Sequence, residues 1–502
     1  MSEFASVQDK GDKVPADLRA NYADHRQEQV FRYVDNGVIK EAAEVDALLA
    51  QLRAIDTARI SELYRSTVTD VVSSSAEDAS KREAEVMEPI ASIGSLKTAS
   101  DDEKNRWFKT GLRSVAEGKV AVVVLGGGQG TRLGFDGPKG VYDIGLPSGK
   151  TLFQLQAERI RRVCELAKAA AGDEGKNSDS DVSIPWYIMT SPMNDRATRS
   201  FFSKNGFFGL QESDVFFFSQ GTLPCMTREG KIMLESAGRV AMAPDGNGGI
   251  YPALQRAGAL EDMRARGVEH LHVSSIDNAL VRVADPYFLG YCIEKGADCG
   301  NKSVMKEDPG EKVGVVVRRG GKPCVVEYSE MTREDCERRD ASTGNLVFGA
   351  GNICNHYFSR AFLEGTVLPG MSNMYHVAHK KIPAAEGSSG KALEPTENNG
   401  IKLESFIFDV FPLSRNMVLF EASRADEFAP VKNAPGTAKD SPDTAREMIS
   451  EQAKRWVRAA GARLGDEHGE GLCEVSPLVS YGGEGLENKV GEVLEIPFHL
   501  ER

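Results

Sequence analysis

The chain has 502 residues, 41% of them hydrophobic, with 50 Gly and 21 Pro; that composition is globular and excludes a collagen-like or broadly disordered chain. Its 61 Lys and Arg against 74 Asp and Glu leave a net charge of −13. This balance argues against coating nucleic acid or an anionic membrane, which needs a basic face, but permits a local basic pocket for a phosphate ligand.

Residues 1–115 are rich in Ala, Glu, Asp, Arg and Lys, and Val45, Leu48, Leu49, Leu52 and Ile55 recur at helical spacing. Several helices are expected there. From 119 the texture changes: Val120–Leu125 reads as a buried strand, followed by a glycine loop and a helix over Leu152–Ala170. Further strands are expected at 185–190, 215–219, 270–275 and 313–317, separated by helical patterns, which predicts a mostly parallel sheet in an α/β domain. Residues 171–182 and 384–400 read as polar loops. A helix over 443–464 and short strands around Gly482-Gly483 suggest a small C-terminal unit. No apolar run approaches the roughly 20 residues of a membrane-spanning helix, and the N-terminal segment lacks the apolar core of a secretory signal. The eight cysteines (164, 225, 292, 299, 324, 336, 354, 473) contain no CxxC. Reduced thiols in a cytoplasmic protein are therefore expected.

The most informative stretch runs from Leu125 through Gly126-Gly127-Gly128-Gln129-Gly130-Thr131-Arg132-Leu133-Gly134 to Pro138-Lys139-Gly140. Glycines let a backbone approach a phosphate and turn its N–H groups inward. Arg132 and Lys139 supply the cations that a phosphate chain needs. Two commoner phosphate motifs fail. The third glycine of GxGxxG would fall on Thr131 or Leu133, and the first glycine of a P-loop ending Gly149-Lys150-Thr151 would be Ile144. His376 and His379 have HxxH spacing but no third ligand type nearby, so no metal is expected there.

The glycine loop resembles the signature loop of the eukaryotic-type UDP-N-acetylhexosamine pyrophosphorylases. Further blocks agree in order across roughly residues 105–487. They include Phe217-Phe218-Ser219-Gln220-Gly221, Ala243-Pro244-Asp245-Gly246-Asn247-Gly248-Gly249, Asp277-Asn278, Gly351-Asn352-Ile353-Cys354-Asn355-His356, Phe408-Asp409-Val410-Phe411 and Lys432-Asn433-Ala434. The resemblance implies a Rossmann-like nucleotidyltransferase domain with a mostly parallel mixed sheet at 116–425. A helical N-terminal domain (1–115) and a small α+β C-terminal domain (426–502) would flank it.

It also implies a reaction: UTP plus N-acetylglucosamine 1-phosphate gives UDP-N-acetylglucosamine plus pyrophosphate, with Mg²⁺ as cofactor. UDP-glucose or broad UDP-sugar pyrophosphorylases are the neighbouring alternative, and a UDP-sugar-binding regulator the non-enzyme one. A monomer or weak homo-oligomer is expected.

By the same resemblance Gly127, Gly128, Gln129 and Gly130 would cradle the nucleotide, and Arg132 and Lys139 would hold the departing pyrophosphate. Lys432 would stabilise the transferring phosphate, and Gln220 and Gly246 would read the uracil edge. Asp277 would bind nucleotide and metal, with Asp409 the second metal ligand. Asn247 would make a sugar-side or ribose-side contact, Gly314, Glu327 and Asn352 would recognise the sugar, and Lys402 would lie near the sugar phosphate. Phe406 and Phe408 would line the N-acetyl pocket from one face of a strand. Two positions depart from the family pattern: Gly126 replaces the usual Ala, and Pro252 the usual basic residue.

Overall fold

The computed structural model describes residues 13–69, 86–173, 181–371, 374–465 and 470–502. Part of the polar stretch at 171–182 lies outside them. The chain divides into two compact units, and the division crosses the boundaries expected at 115 and 425. The smaller unit joins Met1–Ala84, Gly221–Gly249 and Ser372–Ile407; the larger joins Glu85–Gln220, Ile250–Met371 and Phe408–Arg502.

The larger unit is built on one sheet of eleven strands among the described residues. They are β1 (Met87–Pro89), β2 (Ile93–Ser95), β3 (Val120–Leu125), β4 (Trp186–Thr190), β5 (Val215–Ser219), β6 (His270–Ser275), β7 (Cys299–Met305), β8 (Val315–Arg319), β9 (Lys322–Val326), β10 (Ala350–Ser359) and β11 (Met417–Glu421). The main order is β2-β11-β7-β10-β6-β3-β4-β5, with β1, β8 and β9 branching from β10. Strands β6, β3, β4 and β5 run parallel, and β10 runs antiparallel to both of its main-path neighbours. All six residues of β3 are buried, which is why its sequence is continuously apolar. The C-terminal ends of β3, β4, β5 and β6 share one edge, where open α/β sheets bind ligands.

Residues 86–115, expected in a helical N-terminal domain, belong to this larger unit. Strands β1 and β2 join its sheet, and the helix Asp101–Ala116 starts from a Ser100/Glu103 capping box. The helix predicted at 152 extends to Asp173, and the one near 443 spans Pro442–Ala459. No strand forms at Gly482-Gly483. That segment is a turn in which Glu484 accepts N–H bonds from Tyr481 and Gly482, and the short C-terminal strands are Arg463–Leu464, Glu474–Val475, Val493–Leu494 and His499–Leu500. Lys150, of the rejected P-loop, is buried against Glu158 and Glu501, 2.8 and 2.9 Å away.

The middle of the sheet holds charge. Lys302 on β7 is fully buried and bridges Asp285 (2.5 Å) and Glu427. Burying a lysine without such partners would be prohibitive.

The smaller unit packs Val45, Leu48, Leu49 and Leu52 of the helix Ala42–Arg53 against Met226, Ile232, Leu234, Ile401 and Leu403. Short antiparallel pairs complete it, including Thr222–Pro224 with Met242–Pro244 and His376–Lys380 with Gly400–Glu404. His376 and His379 lie on that strand, where a spacing of three points them to opposite faces. No helix among the described residues is long and apolar enough to cross a membrane.

Candidate functional site

In the larger unit the glycine loop leaves the end of β3 and folds back on itself. Gly130 N–H donates to Gly137 O (2.9 Å) and Lys139 N–H to Gly128 O (3.1 Å), closing a bridge between Gln129 and Pro138. Gly126 N–H donates to Met189 O of β4 (2.8 Å). Among the described residues the N–H groups of Gly127, Gly128, Gln129, Thr131 and Arg132 meet no protein acceptor. The expectation for Gly130 is corrected: its amide is spent inside the loop, and the unpaired donors are 127–129 and 131–132. Such a run of free, co-located donors forms an anion-binding concavity.

Gln220 follows β5 and donates its N–H to Thr190 O (2.8 Å). Its side-chain oxygen lies 3.1 Å from the point where a Cβ on Gly127 would sit. The structure therefore brings Gln220 directly onto the glycine loop.

The cations gather around Asp277. Lys139 Nζ is 3.9 Å from Asp277 Oδ2, and both side chains are about five-sixths buried, at 15% and 16% exposure. Burial holds the Lys139 ammonium below the usual lysine range; Asp277 counteracts this, while Lys432 and Arg132 add to it. Those three influences place Arg132, Lys139, Lys432 and Asp277 in one electrostatic neighbourhood. Arg132 is exposed, with no carboxylate paired to it among the described residues. Lys432 is positioned by a strap: Ala279 N–H donates to Ala429 O and Val431 N–H to Asp277 O, so 429–431 run beside 277–279.

A second cluster lies along β10. Asn352 N–H donates to Gly314 O (2.8 Å), and a Cβ on Gly314 would sit 3.1 Å from Glu327 Oε1. Gly314, Glu327 and Asn352 are thus together. Burial, then the neighbouring Glu330, push the Glu327 carboxyl above its ordinary range. Just beyond, the β7–β10 register shifts between Asn301/His356 and Ser303/Asn352, so β10 bulges. Cys354 sits in that bulge at φ 52°, with its N–H on Asn352 Oδ1 (3.3 Å). Bulges re-aim side chains beside active sites. The Cys354 thiol is pushed up to about 12 by burial and by Asp277, with Lys432 opposing. Burial, then Cys299, Asp409 and Cys354, push the Tyr251 phenol well above its ordinary range. Among the described residues no three His, Cys, Asp or Glu side chains form a metal-holding group.

In the smaller unit, Gly246 has φ +89°, and a Cβ there would lie 2.2 Å from Ser405 O. Ser405 N–H donates to Asp245 O, and Gly248 N–H to Ser405 O (2.8 and 2.9 Å). Asn247 Oδ1 accepts the N–H of Ile407 (2.9 Å), so that oxygen is engaged in holding the loop. Lys402 lies on the strand Gly400–Glu404. The shared strand expected for Phe406 and Phe408 is corrected. The strand stops at Glu404 and Phe406 packs its ring 4.8 Å from that of His376; Phe408, already in the larger unit, lies inside the 3₁₀ segment Ile407–Leu413. Capture of 405–407 by the Asp245–Gly248 loop diverts the chain from strand geometry there.

Sequence reasoning missed Asn194 and Cys354. Neither residue type signals a site by itself; one sits at a helix start, the other in a bulge that no periodicity marks.

The family model for UTP–glucose-1-phosphate uridylyltransferase matches residues 62–461. A UDP-N-acetylhexosamine pyrophosphorylase-like protein 1 of Xenopus tropicalis is 45% identical over 497 residues, covering 95% of this chain and 94% of its own. UDP-N-acetylglucosamine diphosphorylase 2 of Arabidopsis thaliana is 42% identical over 474 residues, covering 92% and 89%. The crystal structure of the uridine diphosphate N-acetylglucosamine pyrophosphorylase of Trypanosoma brucei in complex with inhibitor has a TM-score of 0.79 at 30% identity, covering 99% of each chain.

Proposed function

The chain belongs to the UTP–glucose-1-phosphate uridylyltransferase family, and from that membership we propose that it transfers uridylyl from UTP to N-acetylglucosamine 1-phosphate, releasing pyrophosphate. The observation that carries this reading is the pairing of free loop amides at 127–129 with the Arg132–Lys139–Lys432 cluster around Asp277. A phosphate oxygen of the sugar phosphate attacks the α-phosphorus of UTP in line. The new O–P bond forms as the bond from the α-phosphorus to the pyrophosphate oxygen breaks. The attacking oxygen is already anionic, so no general base is needed, and catalysis is positioning plus charge stabilisation. The loop amides hold the polyphosphate. Arg132 and Lys139 stabilise charge growing on the leaving pyrophosphate, and Lys432 the transferring phosphoryl group. Gln220, beside the glycine loop, reads the uracil edge. Gly314, Glu327 and Asn352 form a polar wall suited to sugar hydroxyls.

Mg²⁺ fits this donor set. It prefers octahedral oxygen ligation through one or two carboxylates plus substrate phosphates rather than an all-protein cage. Asp277 would hold it, with Asp409 as a further ligand, and when bound it neutralises phosphate charge. The eight cysteines are all free thiols, which suits a reducing cytoplasm.

The test is pyrophosphate release from UTP with N-acetylglucosamine 1-phosphate, N-acetylgalactosamine 1-phosphate and glucose 1-phosphate, with and without Mg²⁺. Turnover of the N-acetylated sugars above glucose 1-phosphate, abolished by EDTA and depressed in Asp277→Asn, is expected. Absence of pyrophosphate with every sugar refutes the reading.

A further inference from the structure

Asn194 lies in the turn after β4, at the start of the helix Asp195–Lys204, and is fully buried. Its side-chain oxygen accepts the N–H of Ser191 (2.8 Å). Its amide nitrogen donates to Gly126 O (3.1 Å) and reaches Gly128 O (3.4 Å). A buried amide with both ends engaged by backbone is held in one orientation.

The consequence follows from the planar trans peptide, in which the C=O of one residue and the N–H of the next point in opposite directions. Drawing Gly126 O inward turns the Gly127 N–H outward. Drawing Gly128 O inward does the same for Gln129 N–H. Lys139 N–H shares the work at Gly128, but among the described residues only Asn194 is bonded to Gly126 O. We infer that Asn194 is a positioning residue for the triphosphate: it sets the direction in which the glycine loop presents its free amides, without touching nucleotide itself. This rests on the proposed binding of UTP at that loop.

The role makes a selective demand. Asn194→Asp keeps the acceptor for Ser191 but loses the donor to both glycine carbonyls; Asn194→Ala loses both. With one or two backbone orientations released, the KM for UTP is expected to rise about tenfold in each variant. The KM for the sugar phosphate should stay within about twofold at matched melting temperature. A role in folding alone would lower the melting temperature and leave both KM values together. Hydrogen exchange on the wild-type protein completes the experiment. The amides of Gly127, Gly128 and Gln129 should exchange quickly without nucleotide and slow with UTP, while those of Gly126 and Gly130 are protected throughout.

Variants that fold and retain the wild-type KM for UTP, while UTP protects the wild-type loop, overturn the role of Asn194 and leave the uridylyltransferase reading standing. If neither variant folds, slow exchange at 127–129 in the nucleotide-free wild type overturns the inference. Failure of UTP to protect the loop overturns both.

Discussion

Replacing Lys139 by Met should separate activity from stability. Lys139 Nζ is 3.9 Å from Asp277 Oδ2, and at an effective dielectric of about 20 such a pair attracts by about 4 kcal/mol before desolvation. That attraction is outweighed: burial, Lys432 and Arg132 together hold the ammonium below its ordinary range. A lysine whose pKa is lowered by folding opposes folding at neutral pH, because the folded protein holds the proton less tightly than the unfolded chain. Lys139→Met keeps the side-chain volume and removes the crowded charge. Its melting temperature should be unchanged or raised. Turnover should fall by about 100- to 1000-fold, or about 2.7–4 kcal/mol, as when a preorganised donor to developing charge is removed. Calorimetry beside a pyrophosphate-release assay reads both quantities. A variant that loses more than about 1 kcal/mol of stability would refute the crowded-cation argument, and turnover within tenfold of wild type would remove Lys139 from the leaving-group site.

Three further outcomes are expected. The alkaline limb of kcat/KM for UTP, which reports the free enzyme, should fall below the ordinary lysine value of about 10.4. The limb of kcat should lie higher, because bound phosphates favour the cation, and Lys139→Arg should remove the difference; an unshifted limb in that variant would assign it to another group. Gly246→Ala should cost at least about 1 kcal/mol from its left-handed backbone alone. Its Cβ would also meet Ser405 O at 2.2 Å, so a lower melting temperature is expected by calorimetry, and an unchanged one would contradict the close approach of these two backbones. Glu327, whose carboxyl is raised by burial, stabilises the fold fully below the ordinary glutamate pKa and loses that contribution as pH rises through its own. Glu327→Gln should therefore melt no lower than wild type at neutral pH while raising the KM for the sugar phosphate and sparing that for UTP; equal shifts in both would contradict a sugar-side location.

In the parallel half of the sheet β3 and β4 are buried along their whole length and read as apolar runs, while β5 and β6 fall within their expected bounds although β5 is only partly buried and β6 carries two His and two Ser. Strands β7 and β10 carry no such signal. Asn301, Lys302, Asn355 and His356 are fully buried at their centres, and strand patterning fails where charge is satisfied by partners distant in sequence. The smaller unit was hidden for a related reason, since its core joins three chain segments whose apolar positions are individually short. Residue types flagged the glycine loop, Arg132 and Lys139, yet only coordinates reveal which amides stay unpaired. The Gly130 N–H is lost to Gly137 by a turn that no motif encodes.

The ion triad in the sheet has a bearing on how the enzyme is made. Glu427 answers Lys302, and its backbone oxygen also receives the side chain of Asn278, next to Asp277. The strap that delivers Lys432 begins two residues later. Without residue 427 onward, Lys302 would lack one of its two counter-ions and Asp277 the strap that runs beside it. One segment, 427–432, thus both balances the charge inside the sheet and brings Lys432 beside Asp277.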